Sequence, residues 1–180
     1  LYYQGNTIDG IATFNCPLGK YYIEVYVNGI KLNETSVTLN ETVVNVFVSC
    51  NLYGLTVSFK IVDFFGQPIS NANVTWQRNG LQGSSLTKSD GLATFSEFIG
   101  GNLQMIVYLP GQSQPCTIKT VSVSNSTTIE IKIEKYVVLA GFFIETNQLT
   151  TAMMILAIVI LVLSIEVYRR KHFKPEKSES

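Results

Sequence analysis

Few side chains in this chain can do covalent or acid–base chemistry, and their spacing limits what that chemistry is. The lone histidine, His172, lies in a basic tail. That removes histidine-based catalysis and most metal sites from the rest of the chain. Cys16, Cys50 and Cys116 are three in number, so at least one is unpaired or bonds outside these residues. They lack Cys-x-x-Cys spacing, which argues against zinc, and each also reads as a small buried hydrophobe. Ten acidic residues are scattered through positions 1–148 with no Ser-His-Asp set and no glycine-rich phosphate loop. No enzyme activity, cofactor or metal is expected. Modification chemistry remains. Asn33, Asn40, Asn73 and Asn125 each head an Asn-x-Ser/Thr triplet, the acceptor for N-linked glycan in a compartment outside the cell.

The elements that carry these residues read as strands. Tyr21–Val27, Val43–Val48, Leu55–Val62 and Thr128–Glu134 alternate with period two and are rich in β-branched and aromatic residues. Gly, Asn, Asp and Pro punctuate them at the spacing of a β-sandwich. Tyr22 and Tyr26 share one face of their strand, and a core or cross-strand role is expected there rather than a binding platform.

Comparing the chain with itself reveals a repeat. Asp9-Gly-Ile-Ala-Thr-Phe14 recurs as Asp90-Gly-Leu-Ala-Thr-Phe95, Val25-Tyr-Val-Asn-Gly29 corresponds to Val107-Tyr-Leu-Pro-Gly111, and Asn40 corresponds to Asn125. The offsets are 81, 82 and 85 residues, the size of an immunoglobulin-like sandwich. Residues 52–135 are expected to form a complete second repeat. Residues 1–51 are expected to be the C-terminal part of a first one, with about 30 residues missing upstream by the same period. Asn40 and Asn125 are then expected at equivalent hairpin tips, where a glycan would be solvated.

The charge is unevenly placed. The whole chain has 13 basic and 13 acidic residues, net zero, which argues against nucleic-acid binding. Thr146–Ile165 is a stretch of 20 uncharged residues, enough for about 30 Å of hydrocarbon at about 1.5 Å per residue. A membrane helix is expected over 149–168, with Leu149, Ile155, Ile160 and Ile165 in lipid and Tyr168 at the interface. Arg169, Arg170, Lys171 and Lys174 follow at once, which puts the C-terminus in the cytoplasm and the N-terminal part outside. The competing reading is a buried core helix. Glu166 can reach Arg170 at i+4 and reads as a boundary residue. Tyr136–Ile144 is apolar but too short to span. It could extend the last strand, lie in the membrane interface, or dock on another membrane or envelope protein through residues 136–168.

Residues 55–76 resemble the opening of carboxypeptidase-regulatory-like domains and related immunoglobulin-like repeats. Asp63, Gly66, Pro68, Ile69, Ala72 and Val74 carry the pattern, with Thr87 and Asp90-Gly91 before Ala93 and Phe95 further on; Asp90-Gly91 is also a strong hairpin signal. The resemblance implies an all-β, seven-stranded, prealbumin-like sandwich. The overall plan is similar to archaeal surface proteins that end in one membrane helix. Trp76 alternates in step with Val74 and is expected in the core. On the family's strand order the three cysteines fall at different poles and offer no obvious pair within bonding distance, which leaves their pairing open and Cys16 able to bond to upstream residues. The function that follows is a glycosylated, single-span stalk, scaffold or adhesive module in contact with lipid. The alternatives are an accessory subunit of a larger membrane complex, or the stalk of a receptor or enzyme whose head lies upstream.

Overall fold

A computed structural model describes residues 2–172. Strands β1 (Gly19–Val27) and β2 (Ile30–Leu39) form an antiparallel hairpin. Asn28 and Gly29 turn it with φ of 51° and 74°, the left-handed pair that a two-residue hairpin loop requires.

The next seven strands make a two-sheet sandwich. These are β3 (Leu55–Val62), β4 (Asn73–Arg78), β5 (Leu81–Leu86), β6 (Leu92–Phe98), β7 (Gly101–Tyr108), β8 (Thr117–Val123) and β9 (Thr127–Lys132). One sheet runs β6-β3-β9, with β9 parallel to β3; the other runs β5-β4-β7-β8. Alternation on β3 puts Val57, Phe59 and Ile61 into the core, where they meet Val74 of β4 and Leu103, Met105 and Val107 of β7. The Thr87 hydroxyl is buried with them. It donates to Ile69 O at 2.7 Å and accepts from Ala72 N at 2.8 Å, which fastens the strand entering β4 to the strand leaving β5. The protein is thus an all-β sandwich followed by a single C-terminal helix, with the seven sandwich strands that the resemblance implies.

The first repeat departs from expectation in an instructive way. Its β1–β2 hairpin corresponds to β7 and β8, which pair with each other, and it forms. Val43–Val48 corresponds to β9, and Ile11–Phe14 to β6; neither is a strand. In the second copy both β6 and β9 pair with β3. The first copy has no described counterpart of β3, so alternation alone leaves these two segments without a ladder. Around Asp9-Gly10 only a single bridge closes, Ile8 to Ile11.

Four further expectations are corrected. Asn40 follows β2 and Asn125 lies in the crossover from β8 in one sheet to β9 in the other, so neither marks a hairpin tip. The Asp90-Gly91 turn likewise joins the two sheets instead of making a hairpin. Trp76 packs against the core but is only half-buried; its ring meets Phe98 edge-on with centroids 5.3 Å apart and lies against Gly83, a cross-strand partner on β5 that has no side chain. Tyr22 and Tyr26 are exposed, since no second layer covers that face of β1.

Candidate functional site

Past β9 the chain does not run out as a linker. Tyr136–Leu139 forms β10 and Phe142–Glu145 forms β11, an antiparallel hairpin turned by Ala140 and Gly141 at φ of 50° and 85°. The segment is a separate two-stranded hairpin and does not extend the last strand, β9. Val137 is buried, and Tyr136, Val138 and Phe143 pack on the sandwich core.

A single carboxylate fixes this hairpin to the sandwich. Asp63 directly follows β3 and is fully buried. Its Oδ1 accepts from Phe65 N at 2.9 Å and Gln67 N at 2.8 Å, closing the turn around Gly66 and Pro68. Its Oδ2 accepts from Val138 N at 2.9 Å, on β10. Phe64 N donates to Tyr136 O at 3.0 Å alongside, and Ile133 N to Val62 O at 2.8 Å. A buried carboxylate is stable only when it is hydrogen-bonded, and three backbone donors, two on Oδ1 and one on Oδ2, serve this one. At the base of the hairpin Lys135 Nζ lies 3.2 Å from Glu145 Oε1, an exposed pair, and the carboxylate beside it raises the Lys135 pKa. Sequence reading passed over Asp63 as part of a turn motif. The signal was an aspartate directly after a strand of buried positions, where an unpaired charge could not be tolerated.

Helix α1 (Thr146–His172) begins at the residue after β11. Thr146 N donates to Lys135 O at 2.9 Å, so the helix starts from the hairpin base without a spacer. It is long and apolar enough to cross a membrane, and none of its residues is buried in the protein. Leu149, Ile155, Ile160, Ile165 and Tyr168 all lie on it. A core helix would be covered by other elements, and this one is not. Thr150, Thr151 and Ser164 turn their hydroxyls back onto the carbonyls of Thr146, Asn147 and Ile160 at 2.7–2.8 Å, which satisfies each hydroxyl within the helix. Glu166 pairs with Arg170 at 3.0 Å and Arg169 at 3.4 Å, one helical turn away. Arg169, Arg170 and Lys171 occupy the last turn, where cations complement the helix dipole. Lys174 lies outside the described residues.

The four sequons all lie in the part of the chain that precedes α1. Asn40 and Asn125 are exposed outside any strand. Asn73 is half-buried at the start of β4. Asn33 lies on β2 with its Nδ2 donating to Ser49 O at 2.6 Å and its Oδ1 accepting from Glu34 N at 2.8 Å. The three cysteines are free and half-buried. Cys116 packs on the core beside the start of β8, its Sγ 3.1 Å from Val107 O, and burial pushes its pKa up to about 11. Among the described residues no group of His, Cys, Asp and Glu is placed to hold a metal ion.

No family model matches the chain and no curated protein matches it. Among solved structures, the TIE protein of Bacillus anthracis is similar at 12% identity and a TM-score of 0.40, over 64% of this chain and 24% of that one. BcpA, the major pilin subunit of Bacillus cereus, is similar at 12% identity and 0.37, over 67% and 40%. A streptococcal ancillary pilin is similar at 12% and 0.34, over 66% and 45%. The chain spans less than half the length of each. These likenesses are too distant to bear on function.

Proposed function

We propose that this chain is a non-enzymatic, single-span surface protein whose sandwich is a stalk, scaffold or adhesive module standing on helix α1. One observation carries the reading: a 27-residue apolar helix, unburied throughout, leaves the sandwich and ends in a basic cluster. Hydrocarbon is the solvent in which such a helix is stable, because its backbone groups are bonded internally and the side chains of its uncharged stretch are mostly apolar, the Thr150, Thr151 and Ser164 hydroxyls being bonded within the helix. The basic end puts the C-terminus in the cytoplasm and the sandwich outside. The sequons at Asn33, Asn40, Asn73 and Asn125 then face the compartment where N-linked glycan is added. The motif from Asp63 to Val74, together with the seven-stranded sandwich, supports placing the second repeat with the carboxypeptidase-regulatory-like domains, and the plan with archaeal surface proteins.

The direct Asp63-fastened connection suits this role, since a stalk transmits position only if its junction is stiff. Truncation after Glu145 tests the reading in cells. The shortened protein is expected in the medium and the full chain in the membrane fraction, resistant to alkaline carbonate. A truncated chain that stays with the membrane would refute α1 as the anchor.

A further inference from the structure

The pole of the sandwich from which α1 leaves is unusually apolar at its surface. Phe64 and Phe65, in the turn after β3, are 43% and 62% exposed, and Leu139 and Phe142, flanking the β10–β11 turn, are 54% and 72% exposed. All four belong to the assembly around Asp63, since that residue binds the backbone of Phe65 directly and of Val138 across the junction. Lys132 Nζ lies over the Phe64 ring at 4.9 Å, and among the described residues it has no carboxylate partner.

The helix leaves no slack between this pole and the bilayer. Its uncharged stretch, Thr146–Ile165, has 20 residues. At about 1.5 Å each it only just covers a hydrocarbon core of about 30 Å. Thr146 must therefore lie near the boundary of hydrocarbon and headgroups, and the hairpin base is bonded to it directly. Phe64 is bonded to Tyr136, and Tyr136 pairs with Glu145, so the Phe64 backbone is two strand spacings from β11. That is about 10 Å from the strand that leads into α1. Phenylalanine rings beside a lysine suit a layer that is apolar on one side and phosphate-bearing on the other.

We propose that this pole is seated in the lipid headgroup layer, with Phe64, Phe65, Leu139 and Phe142 inserted at the acyl boundary and Lys132 against lipid phosphate. The inference rests on α1 spanning the membrane, and its occupant is the same bilayer. The exposed aromatics then fix the tilt of the sandwich, which one helix alone would leave free to swing.

The test uses the full chain in vesicles of mixed zwitterionic and anionic phospholipid, with lipids brominated near the glycerol end of the acyl chain as quencher. Phe65→Trp and Phe142→Trp each add an indole to the native Trp76 signal; both sites are exposed, so the larger ring is accommodated. Tyr53→Trp, at the opposite pole, is the control. The added emission at positions 65 and 142 is expected to be blue-shifted and lost in brominated vesicles, and that at 53 unchanged. If positions 65 and 142 behave like 53 while α1 remains protected from protease, the seating is overturned and the anchor stands. If α1 is not protected, both readings fail.

Discussion

Replacing Asp63 with alanine should detach the hairpin that carries the helix. The aspartate is fully buried and accepts three backbone N–H bonds, two within its own turn and one from Val138 across the junction. A hydrogen bond to a charged group contributes about 1.5–3 kcal/mol net, and a donor left buried without a partner costs about 1–3 kcal/mol. The three bonds share one acceptor group, so their losses do not add, and the Phe65 and Gln67 amides can turn to water once the loop relaxes. A loss of about 3–5 kcal/mol follows for Asp63→Ala. Asp63→Asn keeps an oxygen for the turn but presents N–H against the Val138 N–H, so it should lose about 1–3 kcal/mol, concentrated at the junction. The assay is denaturant unfolding of the full chain in detergent, followed by the fluorescence of Trp76, with amide exchange measured at Val138 and Phe64. Both amides should exchange faster in both variants, Val138 most. Wild-type denaturant midpoints, or unchanged protection at Val138, would refute the latch.

Trp76→Ala should cost about 2–3 kcal/mol, below the usual range for a large core aromatic because the ring is only half-buried; thermal unfolding measures it. Cys116 should alkylate slowly while folded and at a normal rate once unfolded, because burial holds its pKa at about 11 and the thiolate is the reactive form; timed labelling across a denaturant series reads this. Native protein should carry glycan at Asn40 and Asn125 and less at Asn33, whose amide nitrogen is engaged by Ser49; glycopeptide mass spectrometry decides it. The β1–β2 hairpin should loosen in acid. The bond from Lys31 Nζ, then that from Tyr26 Oη, hold the Glu24 pKa below its ordinary value, so their contribution is present above the unfolded pKa and lost as pH falls through the lower folded one. Amide exchange in β1 at neutral and acid pH would show no difference if this were wrong.

Periodicity made the sandwich and the helix legible. On β3 the alternation of Val57, Phe59 and Ile61 marks an inward face whatever its partners are, and the uncharged run from Thr146 marks a helix long and apolar enough to span a membrane. Pairing was not legible. Val43–Val48 alternates as well as β9 does, yet only β9 has a neighbouring strand, and a ladder needs two. Trp76 illustrates a related limit. Register with Val74 shows that it faces inward, but how much of the ring is covered depends on its cross-strand neighbours, and the one on β5 is Gly83, which has no side chain. The Asp63 junction was hidden for a different reason. Its partners, Val138 and Tyr136, are more than seventy residues away in sequence, and they contribute backbone groups, which carry no residue signature.

The central claim is that α1 crosses the membrane with the sandwich outside. Trypsin added to intact cells, followed by detection of the C-terminal fragment, tests it most directly. The account predicts that the ectodomain is shaved away while a fragment holding α1 and the basic cluster at Arg169–Lys171 survives until the membrane is opened with detergent. Cleavage at Arg169–Lys171 from outside intact cells, or loss of the whole chain without detergent, would contradict it.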